Sequence, residues 1–541
     1  MQKNYNLLLA AAVGCALSAH AWALTPADGQ PDLALYIPGS QANDPAFGFL
    51  VNEQTVANAV CLTNAVTNGG TTGDTLTTTH IYFQGGTNNN YSAIYCYTND
   101  QKIPGLTSGD PSNNHLTKLW ISRRRLGASF VGLDAVNHGT LLTYLKDPVT
   151  ANCSVADTYL SSGGANYDYN YNCTTVTGSI AATAATSDVT PDVFYAADNV
   201  TPGSTPINAS QINTIHALAG HIIGTPVTLA LRNALQYAEI QSGLLPSACT
   251  VGNETAACVP TLTKEQLASI FSGAITDWTQ FQITATQTLA DVTAAGVTAG
   301  VSGLANPRDT TVHVCRRENG AGQQVAMLAN ILQYPCLGSA APEIATPTSA
   351  PLGDIEYATS LGAVDSCLGD FNDGTNNWFG TTNPSPYPNP PATTVAHGNQ
   401  WAISIQSTER NASNKAHYRF IAIDGAIPTG QEAYLGHYRL VGNYALSWNS
   451  GSNSASQNAA LNAIAAYSKL PSTIASRNGT LSLQSFGQAG YIALSDNGFT
   501  PPLVWTPSNP VSPFSRVDSS GHPNACVVPT ANLNYGSIQL Q

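Results

Sequence analysis

The stretch that decides the fold lies past the middle of the chain, at residues 312–332, and reads V-H-V-C-R-R-E-N-G-A-G-Q-Q-V-A-M-L-A-N-I-L. Its first residues alternate between apolar and other side chains, which predicts a strand, and apolar residues fall at helical spacing from Gln324. The turn between them, residues 319–322, opens a helix, so it presents unpaired N–H groups and the positive end of the helix dipole. With Arg316 and Arg317 beside it, the turn is a candidate anion site. The alternative is an ordinary strand-to-helix turn with solvated arginines.

The same order of strand and turn recurs along the chain. Residues 32–37 predict a first strand, and residues 119–136 predict a strand followed by a turn of small residues. Residues 192–197 predict a short buried strand that ends at Asp198. Because strands alternate with helices, the expected fold class is α/β.

A two-lobe arrangement follows from two further strands. Residues 224–235 are almost free of charge and predict a strand that crosses between lobes, and residues 400–405 predict a return strand. Ligands in such folds lie where the carboxyl ends of strands meet helix N-termini. The predicted organisation is a signal peptide at 1–23, a first lobe at 24–225 with loop or hairpin insertions at 62–115 and 151–187, a second lobe at 226–400, and a return to the first lobe with a C-terminal region at 401–541.

Composition and charge indicate an exported protein. Of the 541 residues 9% are charged, against about a quarter in a typical soluble domain. Lys3, an apolar run at residues 7–17 and a small-x-small site ending at Ala23 form a secretory signal peptide, with lipidation at Cys15 as the alternative. No later run is apolar and long enough to span a bilayer, and the formal net charge of −13 argues against a nucleic-acid partner.

The cysteine count points to disulfides. Of the 11 cysteines Cys15 falls in the signal peptide, and the remaining even number indicates disulfides in an exported chain. No C-x-x-C pair occurs, which argues against a redox motif or a zinc ribbon. The sequence does not fix the connectivity, and nearest-neighbour pairing is the expectation: Cys61–Cys96, Cys153–Cys173, Cys249–Cys258, Cys315–Cys336 and Cys367–Cys526.

A capped helix is predicted ahead of the anion-site candidate. Residues 262–271 place their apolar side chains on one helical face. Thr263 is a helix N-cap, and Gln266 three residues later completes a capping box. Gly273 marks the end of the helix.

Three segments resemble one known family. Residues 262–278, L-T-K-E-Q-L-A-S-I-F-S-G-A-I-T-D-W, resemble a signature of the phosphate-binding protein of phosphate ABC transporters, which has the type 2 periplasmic-binding-protein fold. Residues 422–429 resemble its I-D-G-x-x-P segment, and residues 190–198 resemble its P-D-x-x-x-x-S-D segment, with Ala197 in place of the serine. The likeness covers roughly residues 31–60 and 118–470, with gaps.

The resemblance implies a set of ligand-binding residues. In that family hydroxyls, backbone N–H groups and one arginine donate to phosphate, and an aspartate accepts from its protonated oxygen. Carried over, these roles fall on Ser40 and Gln41 in the first turn, Ser129 in the second loop, Asp198 as the acceptor, and Arg317, Gly320, Ala321, Gly322 and Gln323 in the anion loop. Ala321 and Gln323 replace the two hydroxyl residues of the family's R-x-D-G-S-G-T loop. Each lost hydrogen bond to a charged group costs about 1.5–3 kcal/mol, so the two losses lower affinity by about two to four orders of magnitude.

The function implied by the resemblance is that of a periplasmic or secreted solute-binding protein. It would hold a small oxyanion, with phosphate as the first candidate, and deliver it to a membrane permease. The alternative is an exported or cell-surface protein that keeps the fold but has lost or changed its ligand, which the long Thr/Asn/Gly loops favour; a hydrolase on this fold is third. Nucleophile-elbow, zinc-protease and Walker motifs are absent and the histidines are scattered, so we expect no enzyme activity, metal or cofactor.

Overall fold

The computed structural model describes residues 24–40, 60–61, 80–83, 90–100, 103–109, 111–113, 115–155, 169–338, 344, 355–387, 389, 397–411, 416–480, 490–532, 534 and 538–539. The predicted signal peptide, with Cys15, and the candidate Gln41 lie outside the described residues. Within them, every helix is too short or too polar to span a bilayer.

The described helices alternate with strands over most of the chain. They are α1 (Ala128–His138), α2 (Leu229–Ser242), α3 (Lys264–Phe271), α4 (Leu289–Thr298), α5 (Gly322–Met327), α6 (Leu361–Asp373), α7 (Gly430–Leu435), α8 (Ala455–Ser468) and α9 (Pro471–Thr480). A π-helical turn, Leu328–Leu332, continues α5.

The described strands form two large sheets and three two-stranded pairs. They are β1 (Leu33–Pro38), β2 (His80–Phe83), β3 (Tyr91–Asn99), β4 (Leu116–Arg124), β5 (Leu142–Leu145), β6 (Cys153–Val155), β7 (Tyr169–Cys173), β8 (Thr175–Ile180), β9 (Ala185–Ser187), β10 (Thr214–Thr228), β11 (Thr261–Leu262), β12 (Gln282–Thr284), β13 (Gln287–Thr288), β14 (His313–Arg317), β15 (Ile355–Ala358), β16 (Ala402–Ser404), β17 (Gln406–Ser407), β18 (Tyr418–Ile423), β19 (Val441–Trp448), β20 (Tyr491–Leu494), β21 (Val511–Ser512), β22 (Phe514–Ser515) and β23 (Thr530–Ala531).

The first sheet has the strand order β1-β4-β3-β2-β7-β6. β1 runs parallel to β4, and β3 pairs antiparallel with β4 along its whole length. The described strands of the two predicted insertions, β2 and β3 in 62–115 and β6 to β9 in 151–187, all pair with other strands. Of these, β2, β3, β6 and β7 belong to the first sheet itself, so this part of the chain contributes to the core.

The second sheet is organised around β10, a strand of 15 residues. Its first half pairs with β19 and β20, and its second half pairs with β18 and β16. β14 lies between β15 and β16 and is parallel to both. One strand therefore runs through two groups of strands, as a chain that crosses between two lobes requires. The predicted α/β class is confirmed, whereas the exact lobe boundaries stay a prediction.

The crossing strand begins and ends earlier along the chain than predicted. β10 ends at Thr228, and the rest of the predicted strand at 224–235 belongs to α2. The Thr228 hydroxyl accepts the N–H of Leu231 at 3.5 Å and so caps the first turn of α2. The local cap overrides the apolar run that suggested a continuous strand.

The strand predicted at residues 192–197 is wrong. The segment forms two 3₁₀ turns, Pro191–Tyr195 and Ala197–Asn199. Pro191 lacks the N–H that a strand ladder needs, and its fixed φ suits the first position of a helical turn. Asp198 consequently lies in a turn rather than at the end of a strand.

The capped helix predicted near residue 263 is confirmed as α3. The Thr263 hydroxyl accepts the N–H of Gln266 at 3.1 Å, and the Gln266 side chain accepts the N–H of Thr263 at 2.8 Å. Leu267, Ile270 and Phe271 form the buried face and join the main apolar core.

Five disulfides pair all the cysteines that follow the signal segment: Cys61–Cys96, Cys153–Cys173, Cys249–Cys258, Cys315–Cys367 and Cys336–Cys526. The first three predicted pairs are confirmed and the last two are wrong. Cys315 on β14 and Cys367 on α6 share one apolar cluster because α6 packs on β14. Cys336 instead pairs with Cys526, which is 190 residues away in the sequence. No local sequence pattern predicts this pair.

Candidate functional site

A cleft lies where loops from the two strand groups meet. Most of its lining comes from loops that follow the carboxyl ends of β4, β9, β14 and β15, the usual position of ligand sites in α/β folds. The predicted site residues that line it are Arg317, Ala321, Gly322 and Gln323, and they are joined by Asp188 and Glu318.

Asp188 brings together the two serines that were predicted as ligand donors. Ser40 follows β1, and its N–H donates to the carbonyl of Thr186 in β9 at 3.0 Å. The Ser40 hydroxyl donates to Oδ1 of Asp188 at 2.5 Å. The Ser129 hydroxyl, in the first turn of α1, lies 3.5 Å from Oδ2 and accepts the N–H of Asp188 at 3.2 Å. Both hydroxyls therefore contact the same aspartate.

A row of buried ionisable groups extends from Asp188 through the second sheet. Nδ1 of His221 lies 3.7 Å from Oδ1 of Asp188, and its Nε2 lies 3.6 Å from Oε2 of Glu409. The same Nε2 is 2.9 Å from the Ser407 hydroxyl. Nη2 of Arg477 lies 3.9 Å from Oε1 of Glu409. The position of the carboxyl group of Asp188 is thus supported from inside the protein.

The two carboxyls beside His221 differ in their affinity for a proton. Burial raises the pKa of Asp188, although the charge of His221 and the hydrogen bond from Ser40 limit the rise. Burial would also raise the pKa of Glu409, but the hydrogen bond and charge of His221, with the charge of Arg477, outweigh it and lower that pKa to about 2. Asp188 is therefore the carboxyl suited to share a proton with a ligand.

The order Ser407, His221, Asp188 resembles the nucleophile, base and acid of a hydrolase. Ser407 and His221, however, have 0% of their surface exposed, and Ser407 does not line the cleft. A substrate in the cleft does not reach this hydroxyl, so the arrangement supports no hydrolytic step. No group of three or more His, Cys, Asp or Glu in the described ranges is placed to hold a metal ion.

Arg317, the last residue of β14, lines the cleft and has only 4% of its surface exposed. Its Nε has no hydrogen-bond partner among the described residues, and its Nη2 lies 3.5 Å from Oε1 of Glu318. Arg316 precedes it on the strand and so points to the opposite face. There it donates to the Tyr357 hydroxyl at 3.2 Å and to the side chain of Asn319. Of the two predicted arginines, Arg317 is the one that faces the cleft.

Two glycines allow the anion loop to approach α1 and Asp188 closely. Gly320 has a φ of 87° and its carbonyl accepts the N–H of Phe130 at 3.0 Å. A Cβ on Gly322 would overlap the Ser129 hydroxyl and lie 2.8 Å from Oδ2 of Asp188. Any side chain at residue 322 would therefore separate the loop from Asp188.

Gln323 is the least satisfied polar side chain of the loop. It lines the cleft with 2% of its surface exposed, and neither Nε2 nor Oε1 has a hydrogen-bond partner within the described residues. A buried amide normally forms hydrogen bonds through both atoms. An unpaired buried amide beside a cleft indicates a position that a ligand satisfies.

Glu318 adds a second carboxyl to the cleft. Burial raises its pKa to about 7, and the charge of Arg317 limits the rise. Its N–H donates to Ala358 at 3.3 Å and its carbonyl accepts the N–H of Ala321 at 3.2 Å. The backbone of Glu318 is thus fixed, while its carboxyl group accepts no hydrogen bond from the residues that the structure describes.

Asp198 lies apart from this group of residues. It is within electrostatic reach of Arg316 and does not line the cleft, so its predicted role as the acceptor gains no support from the geometry. Asp188, rather than Asp198, is the aspartate that lines the cleft. Its only local trace in the sequence is the short uncharged run A-A-T-S at residues 184–187, which ends directly before the aspartate and does not by itself place that aspartate at the cleft.

No family model matches the chain, and no curated protein matches it. The solved structures to which it is similar include a substrate-binding protein and a transport receptor. One is a putative phosphate ABC transporter substrate-binding protein with bound phosphate from Clostridium perfringens, at a TM-score of 0.35 and 11% identity, covering 83% of this chain and 98% of that chain.

Two further structures have similar scores. An ABC-type phosphate transport receptor from Vibrio cholerae gives a TM-score of 0.34 at 11% identity, covering 80% of this chain and 93% of that chain. PstS from Borrelia burgdorferi gives a TM-score of 0.30 at 11% identity, covering 83% and 98%. A likeness of this size does not identify the ligand of this chain.

Proposed function

We propose that the chain is an exported solute-binding protein that holds a small oxyanion, with phosphate as the first candidate, in the cleft between Asp188 and Arg317. One observation carries the proposal: Gln323 and Arg317 both line the cleft, and the amide of the first and the Nε of the second are buried without a described partner. A buried polar group without a partner costs about 1–3 kcal/mol. An oxyanion supplies acceptors for both donors.

Each group in the cleft has a role in this proposal. Arg317 neutralises the negative charge of the oxyanion, and its planar group suits bidentate contacts to such an anion. Asp188 accepts an O–H from a protonated oxyanion. The hydroxyls of Ser40 and Ser129 are buried and do not line the cleft, and they hold the Asp188 carboxyl in place for that contact. The Gln323 amide replaces one of the hydroxyl donors that the anion loop lacks.

Export and a transport partner belong to the same proposal. The N-terminal 23 residues have the pattern of a signal peptide, and the five disulfides fit an oxidising compartment. We expect the protein in the periplasm or outside the cell, with a membrane permease as the partner that receives its ligand.

The test is isothermal titration calorimetry of residues 24–541 with phosphate. We expect saturable binding that weakens by about tenfold or more in Arg317→Lys, which keeps the charge but loses the planar fork. Arg439→Lys, at an exposed arginine outside the cleft, is the matched control and should bind as the wild type does. Equal binding by both variants would contradict the assigned role of Arg317.

A second candidate function is supported by the hydrogen bonds that residues around the cleft form with one another. Ser40 and Ser129 are already engaged with Asp188, and the N–H of Phe130 donates to the carbonyl of Gly320. These contacts suit an exported or cell-surface protein that keeps the fold and has lost or changed its ligand. The absence of binding at millimolar phosphate in the wild type would decide for this alternative.

A further inference from the structure

We propose that the ligand of this cleft carries a second hydrogen-bond donor besides the proton that Asp188 accepts, and that the Glu318 carboxyl accepts from that donor. The inference rests on the proposed function, because it specifies the ligand class for the same cleft. The second donor would distinguish the ligand of this cleft from a bare oxyanion.

The residues that line the cleft include three side chains with hydrogen-bond acceptors. Asp188, Glu318 and Oε1 of Gln323 all offer lone pairs there, and Oε1 of Gln323 has no described donor. An oxyanion without O–H or N–H groups has only acceptors to present. It would leave Glu318 and Oε1 of Gln323 without a donor, and it would face carboxylates of its own sign, both of which weaken binding.

Arg317 does not occupy the acceptor capacity of the Glu318 carboxyl. Nη2 of Arg317 and Oε1 of Glu318 are 3.5 Å apart and form no hydrogen bond. A structural pair in the same protein looks different: Arg410 donates to Oδ2 of Asp365 through both Nε, at 3.2 Å, and Nη2. The Glu318 carboxyl is therefore positioned in the cleft with acceptor capacity to spare.

Polar residues line the cleft beyond the anion loop. Thr359, Ser360 and Asn90 extend the lining there with polar side chains. A ligand can therefore present its second donor in two ways: as an acidic O–H of the oxyanion itself, or as an N–H on a substituent that lies against these residues.

The charged and titratable groups around these two carboxyls define how binding responds to pH. Arg317 and Tyr387 interact with Glu318, while His221, Glu409 and Arg317 surround Asp188. Glu318 ionises near pH 7 because of its burial. At about pH 8 it is a carboxylate that requires a donor, and at about pH 6 it is protonated and no longer repels an anion.

A matched pair of ligands tests the inference. 2-Aminoethylphosphonate and ethylphosphonate differ by one ammonium group, and each is titrated calorimetrically into residues 24–541 at about pH 8. If the donor is an N–H, the amino compound binds about tenfold tighter or more to the wild type, and Glu318→Gln removes this preference. Glu265→Gln, at an exposed glutamate of α3, is the control and keeps it.

Phosphate titrated at about pH 6 and pH 8 tests the other source. If the donor is an O–H, the two phosphonates bind alike, phosphate affinity of the wild type falls by about tenfold or more between the two pH values, and Glu318→Gln reduces that fall. Equal binding of the two phosphonates, together with the same pH dependence in Glu318→Gln, overturns the inference and leaves the proposed function intact. Absence of binding by all three ligands at both pH values overturns the proposed function and the inference with it.

Discussion

Two buried glutamines in this protein have opposite surroundings. Gln236 in α2 is fully buried; its Nε2 donates to the carbonyls of Asn253 and Cys258 at 2.8 and 2.6 Å, and its Oε1 accepts from the N–H of Gly252 at 2.8 Å and from a guanidinium at 3.1 Å. Gln323 in α5 is 2% exposed and has no described hydrogen bond at either amide atom. The same side chain is saturated in one region and unsatisfied in the other.

The difference separates a structural region from a site. Around Gln236 the amide holds the loop that the Cys249–Cys258 disulfide closes, and its hydrogen bonds stabilise the folded chain. Around Gln323 the protein carries the cost of an unpaired amide beside a cleft that also contains Arg317 and Asp188. A buried polar group that lowers stability and makes no hydrogen bond within the protein is typical of a position that binds a ligand.

The largest expected effect comes from breaking the saturated region. Gln236→Met keeps the side-chain length but leaves the carbonyl of Cys258, a buried residue, and the N–H of Gly252 without their partner, while the carbonyl of Asn253 still accepts from Arg232. A group that is buried and unpaired costs about 1–3 kcal/mol. We expect the free energy of unfolding to fall by about 2–4 kcal/mol, measured by denaturant unfolding. Gln287→Met, at an exposed position, is the control and should change it by less than about 0.5 kcal/mol.

The next effect uses one buried glutamate from each region. Burial raises the pKa of both Glu239 and Glu318 to about 7. Both are lower when unfolded, so the folded chain binds more protons between about pH 4.5 and 7, and its free energy of unfolding falls as pH rises through that range. Glu318→Gln should remove about 2–3 kcal/mol of this fall, measured by unfolding as a function of pH.

Glu239 provides the control for that experiment. Its carboxyl accepts the N–H of Thr261 at 2.9 Å, and neither residue lines the cleft. Glu239→Gln should flatten the same pH range, and saturating phosphate should leave its contribution unchanged while altering that of Glu318. A ligand effect of equal size on both variants would show that Glu318 does not face the ligand.

The sequence predicted those features that depend on neighbours along the chain. The strand, turn and helix around Arg317 and the capping box at Thr263 follow from spacing and caps, and the structure has both. The Cys249–Cys258 pair is also local, with a separation of nine residues. In each case the deciding interactions lie within one element or one turn.

The features that the sequence did not predict depend on how distant strands align. Asp188 reaches the cleft because β9 pairs with β19 and contacts the end of β1. Cys315 pairs with Cys367 because α6 packs on β14. The lack of a described partner for the Gln323 amide can be seen only in the three-dimensional structure, which gives the positions of the surrounding residues. No spacing rule contains this information, since register across a sheet is set by the whole core.

A smaller effect tests how closely the two sides of the cleft must approach. Gly322→Ala places a Cβ on the Ser129 hydroxyl and 2.8 Å from Oδ2 of Asp188. We expect stability to fall by about 1–3 kcal/mol from overpacking, with a loss of phosphate binding in calorimetry. Gly369→Ala in α6, where a Cβ meets nothing within 4 Å, is the control and should stabilise the chain by about 0.5–1 kcal/mol. If the two variants were equally stable, the close approach at Gly322 would not matter.

The smallest expected change in stability decides the comparison. Gln323→Met removes an amide that has no described partner and keeps a side chain of similar length. Because an unpaired buried polar group is unfavourable, stability should stay the same or rise by about 1 kcal/mol, in contrast to Gln236→Met. Phosphate affinity, measured by calorimetry, should fall by about tenfold or more. A loss of stability as large as that of Gln236→Met would mean that Gln323 has a structural role, and the argument that its amide serves a ligand would fail.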